Sequence, residues 1–249
     1  MRYFLELSYN GKAYHGWQIQ PNALTIQQVI EDALKVILKE DLSIVGAGRT
    51  DTGVHALQMY AHFDTERKID EEDLIFKLNS YLPKDISITD LFLVANEAHA
   101  RFDAISREYV YRISTRKDVF NIDQAYLITS ELDIERMNAA AKILLTYRDF
   151  QCFSKSNTDV KTYHCNIYLA EWIQTGNELK FKIRADRFLR NMVRAIVGTL
   201  IEIGSGKRTV DELHDIIGSK DRRKAGYSVP AHGLFLKEII YPEAIRNHE

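Results

Sequence analysis

Residues 46–55 read Gly-Ala-Gly-Arg-Thr-Asp-Thr-Gly-Val-His, placing an arginine, an aspartate and a histidine among glycines. Glycine permits positive φ and close backbone approach, so Gly46, Gly48 and Gly53 are expected to bend this stretch into a tight loop presenting Arg49 and Asp51. Two residues apart, these side chains share a face if the segment is extended, a cation beside an anion. Several chemistries suit such a loop. Asp51-Thr52-Gly53 spells the tripeptide of aspartic proteases, which need two carboxylates sharing one proton. The chain carries that tripeptide once, so the reading requires pairing across a dimer. Arg49 would also hold Asp51 ionised, the wrong state for a shared proton. Asp51 and His55 offer two metal ligands, but no His-Glu-x-x-His run accompanies them. The Gly-Lys-Ser/Thr ending of a phosphate-cradling loop is missing. The plainest alternative is a solvated turn whose aspartate caps a backbone amide.

The elements flanking the loop must position it. Alternating apolar residues over 2–9 predict a strand, and Asn10-Gly11 a turn. Ile26, Val29, Ile30, Ala33, Leu34, Ile37 and Leu38 recur at helical spacing behind Thr25, a fitting N-cap. A short strand over 42–45 enters the loop and one near 58–63 leaves it. A second helix over 71–81, stopped by Pro83, and a strand over 86–94 complete a β-α-β-β-α-β order. The remaining chain repeats much of this pattern. It shows a strand over 106–114, a helix over 133–145, and a hairpin of 165–173 and 178–185 around Thr175-Gly176-Asn177. Helices over 188–203 and 210–217 follow, then a strand over 234–241. The expected class is α+β: two similar domains, 1–104 and 105–249, each an antiparallel sheet with helices on one face, with an active-site cleft between them.

Length and composition fit this division. With 249 residues there is room for two domains of about 120 residues each. Cys152 and Cys165 lack a CxxC spacing and read as free buried thiols. The charged N-terminus is not expected to act as a signal peptide, and no stretch approaches the roughly 18 apolar residues of a membrane span. A soluble, cytoplasmic protein is expected. The net charge of −2 gives no overall pull on nucleic acid, so any such affinity must come from local concentrations of cations. Arg187, Arg190 and Arg194, at i, i+3 and i+7, predict a basic stripe on a helix that turns Val193, Ile196, Val197 and Leu200 to the core. Lys207-Arg208 and Arg222-Arg223-Lys224 are loop clusters of the same sign, and Arg101 and Arg107 flank the domain join. A solvated helix face is the bland alternative.

Gly46-Ala47-Gly48-Arg49-Thr50-Asp51-x-Gly53-Val54-His55-Ala56 resembles the signature of the tRNA pseudouridine synthase A (TruA) family. Further matches fall in order along the chain. They are Tyr9-Asn10-Gly11 with Tyr14-x-Gly16-Trp17-Gln18; Asn79 with Leu82-Pro83; and His99-Ala100-Arg101-Phe102-Asp103-Ala104. Arg107-x-Tyr109-x-Tyr111, then Phe188-Leu189-Arg190-Asn191-Met192-Val193-Arg194 with Val197-Gly198, and Gly233-Leu234-Phe235-Leu236 complete the set. Two departures stand out: Thr52 where the family commonly has alanine, and Gln18-Ile19-Gln20, which lacks an arginine often found there.

The resemblance implies an isomerase that converts uridine to pseudouridine in the anticodon arm of tRNA, at positions 38, 39 and 40, working as a homodimer without cofactor or metal. It implies that Asp51 is the catalytic carboxylate and that Arg194 is its cationic partner. Arg49 would fill the stack vacated by a flipped base, Tyr109 would stack on the uracil, and Leu236 would join the substrate site. Arg101, Arg107, Arg187, Arg190, Lys207, Arg208, Arg222, Arg223 and Lys224 are the expected RNA contacts. Tyr111 and His55 are expected to be structural. The rival reading is a catalytically silent RNA-binding module, which keeps the cations and gives Asp51 no task.

Overall fold

The computed structural model describes residues 1–155 and 160–246. The chain divides into two units, Met1–Ile105 with Phe235–Glu249, and Ser106–Leu234. The first contains β1 (Arg2–Tyr9), α1 (Ile26–Leu38), β2 (Val45–Gly46), β3 (His55–Asp64), α2 (Glu71–Tyr81) and β4 (Ile86–Val94). The second contains β5 (Ser106–Ser114), β6 (Tyr126–Leu127), α3 (Ile134–Leu144), β7 (Ile167–Thr175), β8 (Glu178–Ala185), α4 (Met192–Gly204) and α5 (Glu212–Ser219). From Phe235 onward, β9 (Leu234–Ile240) belongs to the first unit again. The last strand therefore does not stay with the residues that precede it.

In the first unit β1 lies antiparallel between β3 and β4. With one edge of β3 taken by β1, β2 and β9 share the other. Val45 and Gly46 pair antiparallel with His62 and Ala61, while Phe235 and Leu236 pair parallel with His55 and Ala56. Residues 47–54 are thus the wide end of a hairpin. Its arms stop pairing after Ala47 N–H donates to Tyr60 C=O at 2.8 Å, and β9 supplies the missing neighbour at the start of β3. Thr25 caps α1 by accepting from the Gln28 N–H, and Asp70 caps α2 by accepting from the Asp73 N–H. The buried face of α1 is Ile26, Ile30, Ala33 and Leu34, as its periodicity requires.

In the second unit β8 lies antiparallel between β5 and β7, and β6 adds a short parallel pairing to β5. α3 packs on β7 and α4. α4 is buried almost all round, from Met192 to Gly204, so it is the core helix of this unit. The two units share one device. Asn79 of α2 donates to Ile88 C=O and accepts from Ile88 N–H, both at 2.8 Å. Asn138 of α3 does the same to Trp172, at 3.0 and 2.8 Å. β4 and β7 each have one strand neighbour, and a helix-borne amide satisfies backbone groups at those edges.

The α+β class is as expected, and the antiparallel pattern holds for β4-β1-β3 and β5-β8-β7, with β9 and β6 joining in parallel. The helix expected over 188–203 begins only at Met192. Asn191 sits in the left-handed region at φ 66°, a conformation asparagine tolerates, and this turns the chain before the first helical residue. Cys152 and Cys165 are free and buried, and burial pushes both thiols up to about 12, which leaves them inert at neutral pH. Among the described residues no helix is long and apolar enough to cross a membrane.

Candidate functional site

Loop 47–54 is held from below by the segment that follows β1. The Trp17 N–H donates to Thr50 C=O at 3.2 Å, and the Gly53 N–H donates to Tyr14 C=O at 3.3 Å. Within the loop Val54 N–H donates to Asp51 C=O at 3.1 Å, closing a turn that Gly53 completes at φ 77°. The hydroxyls of Tyr9 and Thr50 share a hydrogen bond of 2.8 Å, with both residues buried. Gly16, at φ 89°, lies flat against this backbone; a methyl group there would meet Thr50 O at 2.4 Å and Asp51 C at 3.1 Å. Gly46 leaves room for the indole of Trp17, which is buried and near Tyr9 at 6.3 Å between ring centres.

Of the glycines expected to matter in the loop itself, Gly48 does not. It has open space around it and no positive φ. Tyr14 is anchored in turn by its hydroxyl, which donates to Asp85 at 2.6 Å. Burial and the adjacent carboxylate push that phenol far up, so it stays a donor at any physiological pH.

This bracing presents two side chains. Asp51 is half-exposed between buried Thr50 and an exposed Thr52, and Arg49 is exposed. His55 faces inward: its Nδ1 accepts from the Gly11 N–H at 3.1 Å and its ring stacks on Phe235 at 4.6 Å. Buried, bonded and stacked in this way, His55 sits as a packing residue does. Leu236 is buried on β9 opposite Ala56, two residues beyond the loop. Arg101 is exposed, with its guanidinium 5.6 Å from the ring centre of Phe102.

In the second unit Arg107 and Tyr109 lie two apart on β5 and so share a face. Tyr109 is half-exposed, and its ring meets Phe188 edge-on at 5.2 Å and 90°. Arg107 Nη1 donates to Asp186 C=O at 2.8 Å, next to Arg187. Tyr111, farther along the strand, is fully buried and donates to Pro230 C=O at 2.8 Å, as a packing residue does. The expected helical stripe is corrected here: Arg187 and Arg190 precede α4, and of the three only Arg194 is on it. Arg194 Nε donates to Val229 C=O at 2.7 Å.

The turn at Asn191 is fixed by its amide, which donates to Ser228 Oγ at 2.7 Å. Arg222 bonds the same hydroxyl at 2.9 Å and Gly226 C=O at 2.9 Å. Arg222 therefore braces the start of α4. Arg223 pairs with Asp221 at 2.8 Å, which holds that carboxyl down at about 2, while Lys224 is exposed. Arg208 pairs with Glu202 at 2.6 Å, and Lys207 beside it is exposed.

Tyr9, Tyr14 and Gly16 emerge as bracing residues whose role no local pattern announced, although all three lie in the Tyr9–Gln18 block. Phe188, against Tyr109, is a further one.

Residues 7–103 and 140–242 match the model of a family described as tRNA pseudouridine synthase. The chain is 56% identical over 247 residues to tRNA pseudouridine synthase A of Parabacteroides distasonis, covering 98% of this chain and 97% of the relative. It is 51% identical over 251 residues to the enzyme of that name from Bacteroides thetaiotaomicron, covering 100% and 93%. It is likewise 51% identical over 246 residues to that of Bacteroides fragilis, covering 98% of each.

Proposed function

Because the chain belongs to the tRNA pseudouridine synthase family, we propose that it isomerises uridines of the tRNA anticodon arm with Asp51 as the catalytic carboxylate. Its class is isomerase, and its substrate is tRNA. The reaction breaks the N1–C1′ bond, turns the uracil and joins C1′ to C5, from which a proton then leaves. Nothing is oxidised or reduced and no group is transferred to a second molecule, so the stoichiometry calls for no cofactor.

Bond breaking leaves positive character at C1′, which a carboxylate traps or stabilises. Attack at C1′ and removal of the C2′ proton both require Asp51 as an anion. The observation that carries this assignment is the loop itself. Backbone bonds to Tyr14 and Trp17, a buried hydroxyl pair and an apposed glycine fix residues 50–54, leaving Asp51 half-exposed at the top. A carboxylate serving only to cap a turn needs no such support.

A uridine stacked in an arm must be everted before chemistry. We assign Arg49 to the gap it leaves, since a guanidinium both stacks and bonds phosphate. Tyr109 stacks on the everted uracil and helps the C5 proton leave, and Arg194 is assigned as the cationic partner of the catalytic carboxylate on family resemblance. Arg101, Arg107, Arg187, Arg190, Lys207 and Lys224 supply phosphate contacts. Arg222, Arg223 and Arg208 contribute mainly by fixing the loops around them. Positions 38, 39 and 40 as targets, action as a homodimer and a cytoplasmic site of action complete the proposal on family resemblance.

The test is Asp51→Asn. Retained tRNA binding with no pseudouridine formed supports the assignment. Normal turnover would favour the binding-module reading and end it.

A further inference from the structure

The segment 98–103 is tied down far more than an ordinary surface loop. Arg2 Nη1 donates to Ala98 C=O at 2.8 Å, and the Ala100 N–H donates to Nδ1 of buried His62 at 3.1 Å. The Tyr241 hydroxyl donates to Ala100 C=O. Asp103 accepts from the His99 N–H at 2.7 Å, and the N–H groups of Phe102 and Asp103 return to His99 C=O at 3.2 and 3.1 Å. His99 Nδ1 accepts from the Arg101 N–H at 3.1 Å. Burial, then the Arg2 cation, lowers His62 to about 4, so at neutral pH it is the uncharged acceptor that this loop needs.

All this order displays one aromatic side chain to water. Phe102 is 73% exposed, yet its ring is steadied by His99 at 4.2 Å between centres and by the Arg101 guanidinium at 5.6 Å. A large apolar ring costs solubility, and a loop pinned by side chains from β1, β3 and the segment after β9 is not there to bury it. An aromatic face flanked by arginine and histidine is the chemistry that stacks an unpaired nucleobase while a neighbouring cation meets its phosphate.

We propose that Phe102, positioned by His62, His99 and Tyr241 and assisted by Arg101, is a stacking contact for an unpaired base of the tRNA substrate. This rests on the reading that the chain binds tRNA, and adds a base contact that none of its phosphate contacts provides.

The experiment uses full-length protein and unmodified tRNA transcript. Phe102→Ala and Phe102→Leu should each weaken tRNA binding about 5- to 150-fold, the range for loss of one stacked base. The slope of log Kd against log salt should stay at the wild-type value, because stacking releases no counterions. Phe102→Trp provides an independent readout. Both native tryptophans, Trp17 and Trp172, are buried, so tRNA should quench the new indole and leave wild-type fluorescence nearly unchanged. Unchanged affinity in Phe102→Ala, wild-type affinity in Phe102→Leu, or no quenching in Phe102→Trp overturns the proposal. So does a change of molecular mass in Phe102→Ala with tRNA affinity intact, which would give the ring to a second copy of the chain. If wild-type protein itself fails to bind tRNA or to form pseudouridine, the underlying reading fails instead. The two failures are thereby distinguished.

Discussion

Replacing Gly16 by alanine should slow the reaction sharply without replacing any residue assigned to the substrate. The new methyl carbon would lie 2.4 Å from Thr50 O and 3.1 Å from Asp51 C, and bonded geometry offers it no other direction. Relief to even 3.0 Å requires the loop or the Tyr14–Trp17 segment to yield by at least about 0.6 Å. Gly16 also sits at φ 89°, where a side chain adds about 1–3 kcal/mol of strain. A shift approaching 1 Å at a catalytic group costs on the order of 100-fold in rate. Turnover should accordingly fall about 10- to 100-fold, with lower thermal stability and little change in tRNA affinity. The assay is release of tritium from tRNA labelled at uridine C5, the atom that loses its hydrogen when it joins C1′. Gly48→Ala, two residues from Thr50 but with open space around it, is the control and should keep wild-type rates. Wild-type turnover in Gly16→Ala, or equal losses in both variants, would refute the reasoning that the backbone beneath Asp51 sets its position.

Tyr9→Phe deletes one partner of the buried hydroxyl pair and should cost about 1 kcal/mol of stability and several-fold in turnover; Thr50→Ser should retain activity where Thr50→Val loses it. The depressed His62 predicts a stability change with pH. The unfolded chain takes up this proton near 6.5 and the folded chain only near 4, so stability is fully present above 6.5 and is lost as pH falls toward 4. Between pH 7 and pH 5 this amounts to about 2 kcal/mol. His62→Asn, whose Oδ1 can accept from the Ala100 N–H, should flatten that part of the denaturation profile; His99, also lowered by burial, keeps its own share. Arg190→Gln should reduce the salt slope of tRNA binding by about one. Arg222→Gln should instead lower the melting temperature, since its bonds to Gly226 and Ser228 brace the start of α4.

Local signals carried much of the fold. The Thr25 and Asp70 caps and the helical spacing between 26 and 38 were legible because they depend only on near neighbours in sequence. Loop 47–54 was legible for a different reason, the density of its motif. What escaped were features set by distant partners. Asn191 breaks the helix at its N-terminal end because Ser228, 37 residues away, receives its amide, and no periodicity within 187–194 reports that. β9 rejoins the first unit because β3 has a free edge at His55 and Ala56, which follows from β1 and β2 having taken the others. Gly16 looked like one motif glycine among several, and only the approach of the Thr50 carbonyl marks it as irreplaceable. Conversely, Arg222 looked like a phosphate ligand by charge, whereas its geometry spends it on Gly226 and Ser228.

The most direct measurement is nucleotide-resolution mapping of pseudouridine in a tRNA transcript treated with the wild-type chain and, separately, with Asp51→Asn. Pseudouridine confined to positions 38–40 with the wild type and absent with the variant is the predicted result. Modification elsewhere in the tRNA, or the same modification by both proteins, would contradict it.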